Sequence, residues 1–415
     1  MITKVKPESA RYIVAAGFFA WAFFAPWGIT GAEIGLAVVL LGTILEALTN
    51  RELPQPKVGW APAAFFLIWA FVSASEIEPP AYENLARLWV ILMFFVSSIH
   101  LNGHIRSKDV LTLFLLSLTV CAVYSIIQHY TGLDLMHHDT QEKYLKLVKN
   151  WRYQVIGTYS HHLTLANVML AGAVLAFSRV VGSRGKARLL WLTSALLMTT
   201  AMLFTFTHGP LLGLVAALVF LAAATNPKRA LPILGGLALL VAVLFAVSYN
   251  IRYFFLVQWA EKVHVERLFL WKASLKLVWQ HPLFGVGAGN FRDSIEPVMK
   301  AMHYRFTSRS HAHNSFLQYA VEFGIPGALF VLWFFASILL RGAKALASRK
   351  IESDERFLLA GCLAAVFGLM VSAMTQHVFG DSEVALVAWL LCGVISAKIH
   401  DESKSANAES LDETR

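Results

Sequence analysis

The chain has 415 residues, of which 57% are hydrophobic and only 15% charged, with a formal net charge of +9 and a mean hydropathy of +0.58. That balance excludes a water-soluble globular protein of this size and leaves no stretch for a separate soluble domain or a nucleic-acid partner. The expected fold is an all-α polytopic membrane protein, with residues 1–415 forming one integral membrane domain.

Apolar windows long enough to cross about 30 Å of hydrocarbon recur along the whole length. They fall near 11–27, 29–48, 59–75, 86–101, 110–129, 163–181, 189–206, 209–225, 231–249, 314–341, 357–375 and 384–398, about twelve transmembrane helices. The first follows Lys4, Lys6 and Arg11, but no small-residue cleavage site precedes Pro26, so it reads as a retained helix and not a signal peptide. Cys121, Cys362 and Cys392 all fall inside windows and read as small core residues, with no disulfide expected.

Lysine and arginine set the orientation. Arg51, Lys57, Arg106, Lys108, Arg184, Lys186, Arg188, Lys228, Arg229, Arg341, Lys344, Arg349, Lys350 and Arg356 gather on one side, whereas the short connections near 28, 80, 208 and 380 carry neither residue. The positive-inside rule then places both termini in the cytoplasm, including the acidic tail 399–415. Histidine follows the opposite bias: His129, His137, His138, His161, His162, His208, His264, His281, His303, His311, His313 and His377 lie on the outer side.

Two outer segments are longer, 130–162 and 250–313, the second inserted between the ninth and tenth windows. The second holds nine basic residues against four acidic ones. Basic loops resting on anionic lipid head groups explain scattered lysines, while clustered arginine and histidine favour a bound anion. Within it, 266–280 reads as an amphipathic helix lying on the membrane, with Leu268, Trp271, Leu275, Val278 and Trp279 on one stripe and Arg267 one turn before Trp271. It ends at His281-Pro282. Residues 281–291, HPLFGVGAGNF, read as a tight glycine turn, since no strand or GxGxxG spacing supports a nucleotide cradle.

Ser315 and Gln318 have capping-box spacing, which starts a helix at Ser315 and leaves His311, His313 and Asn314 at its mouth. Gly324-Ile-Pro-Gly327 then breaks that helix near the bilayer edge. A helix start attracts an anion and favours neutral imidazole, so Arg309 and its neighbours would bind negative charge while His313 accepts a proton. A zinc site from His311 and His313, or histidines bonded to loop carbonyls, are the competing readings; zinc would need a third ligand that no motif supplies.

Arg267-x-x-x-Trp271, HPLFGVGAGNF, His313-Asn314-Ser315-Phe-Leu and the following GIPG, in that order and spacing, resemble the signature region of the O-antigen ligase and polymerase superfamily. Gly157-Thr-Tyr-Ser-His-His before Leu163 resembles a further element of these proteins. One departure is Thr207-His208-Gly209, where family members often carry an arginine.

The resemblance implies a C-type membrane glycosyltransferase in the bacterial inner membrane, with its active site facing the periplasm. The donor would be O-polysaccharide on undecaprenyl pyrophosphate, the acceptor a sugar hydroxyl of lipid A-core, and the product complete lipopolysaccharide. Arg267 and Arg309, with Arg305, Arg152 and His208 in support, would bind the diphosphate; His313 would be base or orienter, and His311, Asn314 and Trp271 would assist. No metal and no cofactor are called for, because the outer surface lacks a D-x-D run and fixed arginines can meet the leaving charge. Single displacement with inversion is the simplest route.

An O-antigen polymerase or a protein O-oligosaccharyltransferase of the same superfamily shares the donor and stands as the nearest alternative. A lipid-linked sugar flippase fits less well. Glu33 and Glu46 lie near window ends and Glu322 beside the helix break, so a path of ionisable groups at mid-bilayer is missing.

Overall fold

The computed structural model describes residues 7–50, 55–77, 82–136, 146–148, 152–225, 263–303, 310–348 and 353–413, with scattered positions from 232 to 248. Its helices are α1 Pro7–Phe24, α2 Ile29–Asn50, α3 Trp60–Ser75, α4 Leu92–His100 entered through the 3-10 turns of Tyr82–Ile91, and α5 Ser107–Thr131. There follow α6 His162–Gly182, α7 Gly185–Leu203, α8 His208–Ala224, α9 Val263–Gln280, α10 Phe291–Ala301, α11 Ser315–Ala347, α12 Ser353–Ala373 and α13 Ser382–Glu413.

Helix covers every expected window except 231–249, which lies largely outside the described residues. Seven helical stretches among the described residues are long and apolar enough to cross a membrane: Ile29–Asn50, Tyr82–His100, Ser107–Thr131, His162–Gly182, Ser315–Ala347, Asp354–Ala373 and Ser382–Asp401. Trp60–Ser75 and His208–Ala224 are shorter apolar helices. Ile34, Leu41, Ile44 and Leu48 on α2, and Phe65, Ile68 and Phe71 on α3, point outward. An apolar exterior of this kind suits lipid and not water. The chain is a multi-pass membrane protein.

At the centre stands α6, enclosed around nearly its whole circumference by α7, α8, α12 and α13. α1 packs along α2, and α4 along α13. Cys121, Cys362 and Cys392 are all buried in helices. One element departs from an all-helical reading: β1 Lys146–Val148 pairs antiparallel with β2 Arg152–Gln154, Leu147 opposite Tyr153. Alternating Arg152-Tyr153-Gln154 suits a short hairpin, because the side chains project to opposite faces with period two.

α9 and α10 fold back onto α11 through a small core of Leu270, Ala273, Leu277, Phe291, Ile295, Ala312 and Val321. The expected stripe on α9 is split between faces. Val278 is buried with Leu270, Ala273 and Leu277, whereas Leu268, Leu275 and Trp279 face outward. The helix therefore has two apolar sides, one satisfied by α10 and one left toward the surroundings, a division that a single projected stripe does not separate.

α11 is interrupted at Gly324, whose φ of 70° and ψ of −178° leave the helical region. Its freed backbone groups are taken up by the preceding glycine turn: Val286 N–H donates to the Val321 carbonyl at 2.8 Å, Gly287 N–H to the Glu322 carbonyl at 2.9 Å, and Ile325 N–H to the Pro282 carbonyl at 2.8 Å. The Trp69 indole donates to the Phe323 carbonyl at 2.8 Å. A Cβ at Gly324 would overlap the Leu283 carbonyl, so the break needs glycine for space as well as for φ.

Candidate active site

The mouth of α11 is a clamped loop. Asn314 is the helix cap, its Oδ1 accepting from Phe316 and Leu317 N–H at 3.0 Å each. The capping-box expectation at Ser315 is corrected here: the helix does begin at Ser315, but Ser315 Oγ donates to the Gln376 carbonyl at 3.2 Å. Gln318 Oε1 accepts the Ala312 N–H at 2.7 Å, and its Nε2 donates to Glu322 Oε1 at 3.0 Å. The same carboxylate oxygen accepts the Gly289 N–H at 3.0 Å. On the other side the Trp271 indole donates to the Ala312 carbonyl at 2.9 Å.

Held at both backbone groups of Ala312, the loop forces His313 to a φ of 49°. A left-handed non-glycine residue costs about 1 kcal/mol or more and persists only where its surroundings over-determine it. His313 N–H donates to His311 Nδ1 at 3.2 Å, and the two rings stand 4.2 Å apart between centroids. His377, from the connection between α12 and α13, brings its ring to 5.7 Å from that of His311.

Burial holds all three imidazoles in the neutral form. His313 is lowered to about 3 by burial and then by His311 and Arg267; His311 to about 4 by burial, His161 and Arg267; His377 to about 3 by burial, His311, Arg87 and His313. Burial also lowers Arg267 from its usual range. Because its Nδ1 accepts from the His313 N–H, the neutral His311 ring keeps its proton on Nε2 as a donor; His161 Nδ1 accepts from Leu163 N–H at 3.2 Å. His313 Nδ1 is buried and carries no hydrogen bond among the described residues.

A cavity of about 330 Å³ is lined by Arg87, His161, His311, Gln318, Glu322, Gln376, His377 and Asp381, among others. It brings together the start of α6, the 3-10 turns before α4, the mouth of α11 and the connection into α13. Asp381 accepts from Thr164 Oγ1 at 2.9 Å, and burial raises its carboxyl above the ordinary range. The outer surface, read from sequence as lacking a D-x-D run, places two carboxyl groups, Asp381 and Glu322, at the cavity wall.

Of the site residues read from sequence, the structure gathers His311, His313, Asn314, Trp271 and Arg267 around one loop. His208 begins α8, and a Cβ on the next residue, Gly209, would overlap Thr375 Oγ1, which places that turn against the segment leading to His377. Arg152 lies elsewhere in this arrangement, on β2 with its guanidinium 4.8 Å from the Tyr130 ring centroid. Arg305 and Arg309 lie outside the described residues, as do residues 250–262 of the long segment. Sequence reasoning did not single out Arg87, in the 3-10 turns before α4, or Gln376 and Asp381, in the connection between α12 and α13.

The fold and the site together define a multi-pass membrane protein with an imidazole-lined cavity built where helices begin, with Arg87, Asp381 and Glu322 at its wall. Residues 193–332 match the family model described as O-Antigen ligase. Members of this family are glycosyltransferase-like enzymes acting on lipid-linked sugars. The matched stretch includes His208, Arg267, Trp271, the glycine turn, His313 and the break at Gly324; Arg87, His161, His377 and Asp381 lie outside it. A search of curated proteins finds no match to the chain.

Proposed function

We propose that the protein is an O-antigen ligase: a C-type membrane glycosyltransferase that moves O-polysaccharide from undecaprenyl pyrophosphate to a sugar hydroxyl of lipid A-core. The observation that carries this reading is the neutral His313 ring, under the influence of Arg267 and 4.2 Å from the ring of His311, which lines a cavity with further donors. The acceptor hydroxyl attacks the anomeric carbon as the carbon–oxygen bond to the diphosphate breaks. The electron pair leaves with undecaprenyl pyrophosphate, and the hydroxyl proton passes to His313.

Arg267, with Arg309 and Arg305 from the same long segment, meets the charge growing on the leaving diphosphate. Arg152 and His208 are the more distant donors. A base lowered to about 3 is weak, and after burial and His311 the Arg267 guanidinium contributes to that lowering. A bound diphosphate offsets Arg267 and raises the imidazole. Displacement is direct and inverts the anomeric centre.

The cavity faces the periplasm of the bacterial inner membrane, with both termini cytoplasmic. Purified protein supplied with lipid-linked O-polysaccharide and lipid A-core tests the reading. Capped lipid A-core supports ligation. Lengthening of the polymer on its lipid carrier, with no capped core, identifies a polymerase, and movement of donor across vesicles without covalent product identifies a transporter.

A further inference from the structure

We propose that Glu46, His100 and His104 form a binding site for a borderline divalent metal ion of the zinc class, at the end of the bundle away from the histidine cavity. One ligand atom from each residue lies within 4.8 Å of the others. His100, at the end of α4, is separated from Arg87 at the cavity by most of the helical rod Tyr82–His100.

Hydrogen bonding decides which atoms are available. Thr43 Oγ1 donates its single proton to the Val39 carbonyl at 2.8 Å, so toward His100 Nε2, 2.9 Å away, it can only accept. His100 therefore carries its ring proton on Nε2 and turns a bare lone pair at Nδ1 toward Glu46. Arg11 Nε donates to Glu46 Oε1 at 3.2 Å, which leaves Oε2 facing that lone pair at 3.6 Å. Both atoms are buried and have no hydrogen-bond partner among the described residues, and His100 is only 2% exposed.

Two buried acceptors facing one another without a hydrogen between them repel unless a cation stands there. Ligands bound at about 2.1 Å with tetrahedral angles stand roughly 3.4 Å apart, close to the separation found. His104, exposed in the turn after α4, supplies the third ligand and the route of entry from solvent, and water completes the set. Thr43 and Arg11 act as the outer partners that fix ring and carboxylate. Two imidazoles and one carboxylate match zinc better than calcium or magnesium, which take oxygen ligands. The ion would tie α2 to the end of α4.

The test uses full-length protein without a polyhistidine tag, stripped with chelator, desalted and equilibrated with Zn(II). Wild type, His104→Ala and Glu46→Gln are compared for bound zinc by elemental mass spectrometry and for thermal unfolding with and without zinc. Wild type is expected to hold one more zinc per chain than either variant, and only wild type should gain in unfolding temperature. His104 is exposed, so an unchanged unfolding temperature without zinc shows that its variant folds. Equal zinc in all three proteins, or none in wild type, overturns the site and leaves a shared proton between Glu46 and His100.

Discussion

Trp271 and Ala312, 41 residues apart, are joined by the indole N–H donating to the backbone carbonyl at 2.9 Å, and this bond sets the distance between the helix that carries Arg267 and the loop that carries His313. Trp271→Phe keeps the ring's apolar bulk but leaves the Ala312 carbonyl without its donor. The expected loss is about 1–3 kcal/mol of local stability and a fall of at least tenfold in transfer rate, with the protein still in the membrane. An unchanged rate in a membrane assay would show that the two groups need no such spacing.

His313→Ala and Arg267→Ala are each expected to abolish transfer of O-polysaccharide while membrane levels stay near normal. Arg267→Lys should also lose most activity, since an ammonium cannot present the paired donors of a guanidinium to a diphosphate. Immunoblotting of lipopolysaccharide reads the outcome, and near-normal capping in both alanine variants would remove the site assignment.

Gly324→Ala is expected to be the most damaging single methyl in the chain. It places a Cβ against the Leu283 carbonyl and demands a φ of 70° from an L-residue. Accumulation should fall severalfold and thermal unfolding should drop by several degrees. Gly103→Ala, whose Cβ would meet nothing closer than the His100 carbonyl at 3.6 Å, is the control expected to behave like wild type.

The pH dependence of stability follows from the lowered imidazoles. His311, His313 and His377 titrate near 4, 3 and 3 in the folded chain, against about 6.5 unfolded. As pH falls through 6.5 the unfolded chain takes up protons that the folded chain refuses, so stability is greatest above that pH and declines toward pH 4. Thermal unfolding in detergent from pH 7.5 to 4.5 should show this slope, and His377→Asn should flatten it. A slope of opposite sign would mean that these rings are charged in the folded state.

A bound diphosphate reverses part of that effect by offsetting Arg267. Undecaprenyl pyrophosphate is expected to raise the titration midpoint of His313, read by nuclear magnetic resonance of histidine-labelled protein assigned with the His313→Ala variant. No shift on saturation would place the phosphates elsewhere.

The parts of the site written in consecutive residues were legible. Arg267 and Trp271 share a helix, the glycines of 281–291 announce a turn, and Gly324 with Pro326 announces a break. The cap was misassigned by one residue because Asn314 and Ser315 both suit it; the structure settles it by giving Ser315 Oγ a carbonyl on the Gln376 segment, a contact 61 residues distant. Arg87, Gln376 and Asp381 were illegible for the same reason. Arg87 lies in the turns before α4 while Gln376 and Asp381 lie in the connection between α12 and α13, and only the packing of α13 against both α4 and α11 brings them to one wall. Periodicity likewise could not divide α9 into a face for α10 and a face for the surroundings.

Glu322 has one further consequence. A single carboxylate oxygen receives Gly289 from the turn and Gln318 from the helix, and Gln318 in turn holds Ala312. Floor and rim of the chamber are thus fastened to one rivet. Neither can swing away like a flap while the rivet holds, so under the proposed function a bulky lipid-borne sugar would have to arrive and depart sideways, from the bilayer.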